Sequence, residues 1–168
     1  GNGRDGIAIH GPGTDLNVVR ANFIGLDASG QDPIPNGARG IDITFGASNN
    51  AVGGPDSNQR NVISGNAGEG IRLQGIATTG NVIQGNFIGP DIDGGSLESN
   101  AVGILIRQGA NANRIGGSGP GEGNTIAKNS GIGIVVDGPA SLGNHISHST
   151  FEGNRLEAIR LLNGGNAE

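Results

Sequence analysis

The carboxylates best placed for chemistry in this 168-residue chain lie in two Gly- and Pro-rich stretches. Asp27 and Asp32 fall in the first, and Asp91, Asp93 and Glu98 in the second. Oxygen-rich loops bind Ca²⁺, which makes these five the candidate metal ligands and calcium the one cofactor the residues admit. The alternative is a solvated acidic turn, because DIDGG lacks the remaining carboxylates of an EF-hand loop and no G-G-x-G-x-D series is present. Two carboxylates at a suitable separation also serve glycoside hydrolysis, yet nothing in the sequence supplies a partner base, so no catalytic residue is assigned. His10, His145 and His148 follow no metal-ligand spacing, and His145 and His148, which flank Ile146, read as surface residues. GSGPGEGNT is rich in Gly but has no Lys and no helix after it, which makes it a poor phosphate loop. With no Cys there is no disulfide and no thiolate metal site.

The elements that carry these loops are repeats. Asn recurs in three series: 17, 50, 81, 113, 144; then 22, 61, 86, 124, with Ser149 in the fifth slot; then 2, 36, 66, 100, 129, 154. In the last copy the three slots are five residues apart. Elsewhere one gap is widened, from 22 to 36 and 86 to 100, or from 50 to 61 and 113 to 124. Two kinds of copy therefore alternate, and the larger period is 64 residues, from 17 to 81. The reading divides the chain into a partial coil (1–16), full coils 17–49, 50–80, 81–112, 113–143 and 144–162, and a polar tail, 163–168, expected to fray.

Aliphatics follow each Asn at fixed offsets. Val19, Val52, Ile83, Ile115 and Ile146 form one set, and Ile24, Ile63, Ile88, Ile126 and Phe151 a second. The third begins with a Gly–Ile step at Ile7, Ile41, Ile71, Ile104 and Ile134, with Ile159 after Ala158, and a further aliphatic follows two residues on. Alternation at period two means short strands with one buried face. No single copy can enclose its aliphatics, so copies must stack, with Ile over Ile inside and Asn over Asn at the bends. Asn suits a bend because it tolerates the left-handed conformation, and Gly before Ile serves that need or lets the bend pack closely. The predicted fold is all-β: a right-handed single-stranded parallel β-helix of about five rungs with alternating inserted loops. On its outer face, Asp42 and Arg72, and Arg107 and Asp137, are expected to form exposed ion pairs between coils, worth about 0–1 kcal/mol each. Leu105 and Val135 are expected as an outward apolar patch, and Phe23 and Phe87 to shield a bend or pack under the long loops rather than stack on sugar.

The pattern N-x-I-x-x-N-x-I-x-x-N-x-x-x-G-I-x-I resembles the NosD-like repeats of the pectate-lyase-like β-helix superfamily. The loop-bearing copies GNFIGPDIDGGSLESN and NRIGGSGPGEGNTIAKN resemble a tandem repeat of large secreted bacterial surface proteins. The resemblance covers essentially the whole chain and implies the fold. For function it leaves several classes open, since β-helices serve as lyases, hydrolases, epimerases, adhesins and inert stalks. The expected function is a non-catalytic structural or adhesive solenoid segment of an extracellular surface or filament protein, with end-to-end stacking of the segment as its bolder form. The alternatives are a fragment of a polysaccharide-processing β-helix protein and a carbohydrate-binding module. The expected partners are neighbouring solenoid coils or further copies, and polysaccharide. A net charge of −5 with a single Lys argues against nucleic acid, and no apolar run approaches the roughly 20 residues of a membrane span. No signal peptide is read at its start, so the expectation is a mature form or an excised piece.

Overall fold

A computed structural model describes residues 1–95 and 99–166. Three parallel sheets run the length of the molecule, with six, five and five strands. Sheet I holds Ile7–His10, Ile41–Thr44, Glu69–Gln74, Val102–Arg107, Ile134–Asp137 and Ile159–Leu162. Sheet II holds Val18–Val19, Ala51–Gly53, Val82–Gln84, Arg114–Gly116 and His145–Ser147. Sheet III holds Phe23–Ile24, Val62–Ile63, Phe87–Ile88, Thr125–Ala127 and Thr150–Glu152. Each turn of the chain contributes one strand to every sheet, so the protein is a parallel β-helix. No described helix is long and apolar enough to cross a membrane.

The expected columns form residue by residue. Ile7, Ile41, Ile71, Ile104, Ile134 and Ile159 are paired in register through sheet I. Val19, Val52, Ile83, Ile115 and Ile146 align in sheet II. Ile24, Ile63, Ile88, Ile126 and Phe151 align in sheet III. Together these columns make one continuous core, in which Ile41, Ile71, Ile104 and Ile134 are fully buried. Burial of each such side chain contributes about 1.5–3 kcal/mol, and the parallel stack brings the same contact back at every coil.

The bends divide their work differently from the expectation. Within the three series read from the sequence, the ladder asparagines do not adopt the left-handed conformation. In the first series the residue before each does: Leu16 (φ 60°), Asn49 (φ 55°), Gly80 (φ 67°), Ala112 (φ 51°) and Gly143 (φ 61°). Asn is there for hydrogen bonding. At most steps its backbone N–H and its Nδ2 both donate to Oδ1 of the Asn one coil on, as Asn50 does to Asn81 and Asn81 to Asn113, all at 3.0 Å. The Nδ2 also reaches a carbonyl of the preceding coil, as Asn86 does to Val52 O at 2.9 Å. A primary amide carries an acceptor oxygen and two N–H donors, so it can accept from one coil while donating to two others, where a hydroxyl has only one hydrogen to give. The Gly before Ile7, Ile41, Ile71, Ile104 and Ile134 answers crowding: a Cβ on Gly40 would stand 2.6 Å from Gly70 O, and one on Gly103 2.5 Å from Gly133 O.

Asn100 is a measurable link in this ladder. Its Nδ2 donates to Ile63 O (2.9 Å) and Asn129 Oδ1 (3.1 Å), and its Oδ1 accepts from Asn66 Nδ2 (2.9 Å). Asn100→Ala strands these buried partners and should cost of order 1–3 kcal/mol. Chemical denaturation checks this, and an unshifted midpoint would refute the ladder's role.

The alternating loops have a physical reason. Successive coils are about 4.8 Å apart. The long loop after Ile24 doubles back on itself through a Leu26–Pro33 antiparallel bridge, so it is thicker than one coil. It reaches the next long loop two coils away: Ile92 N–H donates to Gly30 O (3.1 Å) and Gln31 Nε2 to Asp93 Oδ2 (2.7 Å). The short loops meet in the same way, with Gly121 and Pro55 O in contact and Gly85 between the two loops. A loop that spans the level of the intervening coil can be placed only on every second one. Residues 163–166 start the next turn: Asn166 Oδ1 accepts from Asn144 N–H at 2.8 Å, extending the first Asn series.

Candidate functional site

The outer face of sheet I holds the densest chemistry. Arg72 and Asp42, neighbours in the sheet, form a bidentate pair, with Nε–Oδ1 at 2.7 Å and Nη2–Oδ2 at 2.8 Å. The expectation of an exposed pair is overturned: Asp42 is 2% exposed and Arg72 7%. His10 Nε2 stands 3.0 Å from the same Asp42 Oδ2. Beside them Arg39 joins Glu69 (3.1 Å) and Asp5 (3.5 Å). Burial pulls the Arg72 pKa down, but the hydrogen bonds and charge of Asp42, helped by Glu69 and Asp5, outweigh it and hold the pKa above its ordinary value.

The second expected pair does not form. Arg107 aligns with Asp137, yet its Nε donates to Gln74 Oε1 at 2.8 Å, and Asp137 accepts instead from Asn163 Nδ2 at 2.8 Å. Leu105 and Val135 are not an open apolar patch either, since Val135 is buried and Leu105 half-buried.

In the long loops, the candidate metal ligands are engaged by their own turns. Asp27 Oδ1 accepts from Ser29 Oγ (2.7 Å) and from the backbone N–H groups of Gln31 and Asp32 (both 3.2 Å). Asp91 Oδ1 accepts from the N–H groups of Asp93 (2.9 Å) and Gly95 (2.8 Å). Asp93 accepts from Gln31, and Asp32 donates its N–H to Asp27; Glu98 lies outside the described residues. Among the described residues no three His, Asp or Glu side chains are placed to hold a metal ion. In GSGPGEGNT the loop's amide is already served, because Gly119 N–H donates to Glu122 Oε2 at 2.9 Å. His145 and His148 are exposed, as expected.

The Ser29 hydroxyl, aided by the turn amides, holds the Asp27 carboxyl below its ordinary pKa. Its contribution to the loop is therefore complete above the unfolded value and is lost as pH falls through the lowered one. Protection factors of the Gln31 and Asp32 amides, taken against the intrinsic exchange rate at each pH, should hold above about pH 4 and fall below it, while the core amides stay protected. Rapid exchange of both amides at neutral pH would refute the turn.

Sheet III presents Phe23, Val62, Phe87, Thr125 and Thr150 in one outward row. Phe23 packs against Gly30 of the long loop, as expected, but stays 42% exposed. Phe87 lies under the Arg60 guanidinium, whose central carbon is 4.0 Å from the ring centroid. Arg60 was not singled out in the sequence, although one signal was available. The slot before the second Asn reads Ala21, Arg60, Gly85, Gly123 and His148, and the one Arg breaks a mostly small series.

These features define a class: a parallel β-solenoid with asparagine ladders at its bends and loops tiled on alternate coils. The chain matches no family model, no curated protein and no solved structure, so its role is argued from its own geometry.

Proposed function

We propose that this chain is a non-catalytic, stiff and adhesive solenoid segment of an extracellular or cell-surface protein, to which further coils add end to end. The observation that carries this reading is that charges and amides on successive coils are satisfied chiefly by the coils next to them. Asp42 serves Arg72 and His10, Arg39 serves Asp5 and Glu69, and each Asn serves the next. Such a surface resists bending and unfolding because every coil is tied to its neighbours in the core, at the bends and outside.

The ladders also have polarity. Asn2, Asn17 and Asn22 donate into the stack, and among the described residues nothing donates to their Oδ1 atoms. At the opposite face the Asn154 backbone N–H has no acceptor among the described residues, and Ile159 and Leu161 are 40% and 56% exposed. One face therefore offers acceptors and the other donors with uncovered aliphatics, which suits the addition of another coil. Electron microscopy and sedimentation of the purified chain test this: rods that lengthen with concentration are expected, and particles of one length at all concentrations would overturn end-to-end addition.

One observation favours a second reading, a fragment of a polysaccharide-processing protein. Asp5, Asp42 and Glu69 share the outer face of sheet I with Arg39, Arg72 and His10. Turnover of an acidic polysaccharide by the parent that is lost in an Asp42→Asn variant shown by circular dichroism to be folded would establish that reading and remove the non-catalytic one.

A further inference from the structure

We propose that the groove beside Arg60 is a binding site for a small organic carboxylate with an apolar body. The groove encloses about 240 Å³ on the outer side of sheet III and is lined by Phe23, Asn58, Arg60, Val62 and Ile92 among others. Its walls come from separate parts of the chain. Phe23 and Val62 belong to sheet III, Ile92 to the long loop of the third full coil, and Asn58 and Arg60 to the short loop of the second.

Arg60 is not one of the residues that recur in every copy. Residues common to all copies hold the solenoid together, and the other copies place Ala, Gly or His in this slot. It is also held rigidly. Nε donates to Gly85 O at 3.3 Å and the guanidinium lies on Phe87, while the small Ala21 and Gly85 of the flanking coils leave room for its length. Among the described residues no carboxylate pairs with Arg60, and its two Nη groups have no hydrogen-bond partner. A guanidinium fixed by stacking, with one edge uncommitted, is suited to bidentate capture of a carboxylate and loses little entropy when it does so. The half-exposed Phe23 ring and the partly exposed Ile92, above a floor that includes the buried Val62, supply an apolar surface for the rest of the ligand. The volume sits below the usual range of about 300–1,000 Å³ for ligand pockets, so it admits a body of one ring. The proposal goes beyond the stalk reading and does not depend on it, since an unliganded solenoid remains a solenoid.

The test is a nuclear magnetic resonance titration of the isotope-labelled chain with phenylacetate. Saturable shifts are expected at the Arg60 Nε–H and at the amides of Asn58 and Ile92. Acetate, which lacks the ring, and phenylacetamide, which lacks the charge, should bind roughly tenfold or more weakly. A short peptide ending in Phe presents the same chemistry at its terminus, and its affinity relative to phenylacetate tells a free acid from a chain end. Arg60→Gln should lower affinity to the level of phenylacetamide with the melting midpoint retained. If that variant does not fold, Arg60→Lys keeps the charge, loses the fork and should bind more weakly than the parent. Equal binding of phenylacetamide, unchanged affinity in a folded Arg60 variant, or no saturable shift at millimolar phenylacetate would each overturn the proposal.

Discussion

Ile104→Asp leaves the chain without a folded state. Ile104 is fully buried, with Ile71 on one side and Ile134 on the other in the central column of sheet I. The substitution forfeits about 1.5–3 kcal/mol of apolar burial. It also places a carboxylate where the flanking column side chains are aliphatic, so the acid must enter uncompensated or force the coil open, at a cost of several kcal/mol more. A domain holds only about 5–15 kcal/mol in reserve, and the damage falls in the middle of the stack, where it separates the coils on either side. The expected readout is loss of the β circular-dichroism signal and of a cooperative melt. Ile104→Val, which removes one methylene, should cost only about 0.5–1.5 kcal/mol. A soluble Ile104→Asp chain that melts cooperatively would refute the inward column.

Arg72→Met is the second large effect. It removes both hydrogen bonds that hold Asp42 and leaves a 2%-exposed carboxylate with His10 as its remaining side-chain partner. Breaking a buried pair from one side costs about 3–5 kcal/mol. Replacing both partners, as Asp42→Leu with Arg72→Met, removes the stranded charge and should return most of that loss, because two apolar side chains need no desolvation of charge. Urea denaturation of the parent, single and double variants measures the difference. A single variant as stable as the parent would mean that water reaches Asp42 and that the pair is a surface contact.

Much of the fold was legible because a solenoid is nearly one-dimensional. A slot that repeats in sequence repeats in space at one coil spacing, so Asn81 over Asn113 and Ile104 over Ile134 could be read before any coordinates. Even the departure at Phe151 was placed correctly by its motif register, in line with Ile126. The bends were less legible. Asn could have been chosen for its backbone tolerance or for its amide, and the spacing is the same for both. The left-handed angles at Leu16 and Ala112 resolve this in favour of the amide.

The amino-acid sequence by itself determined the coil: its period, its inward columns, its ladders and the alternation of two loop types. These depend on which residue types recur at which interval, and the translation from one coil to the next does the rest. Only the tertiary structure decided what the outer surface does. Arg107 turns to Gln74 rather than to the Asp137 beside it, Asp42 and Arg72 are shut away from water, and Asp27 and Asp91 bind their own turns. Ile92, from a loop one coil on, closes the groove at Arg60. Such outcomes rest on side-chain direction and on loops that cross from one coil's level to another's, and a repeat pattern constrains neither.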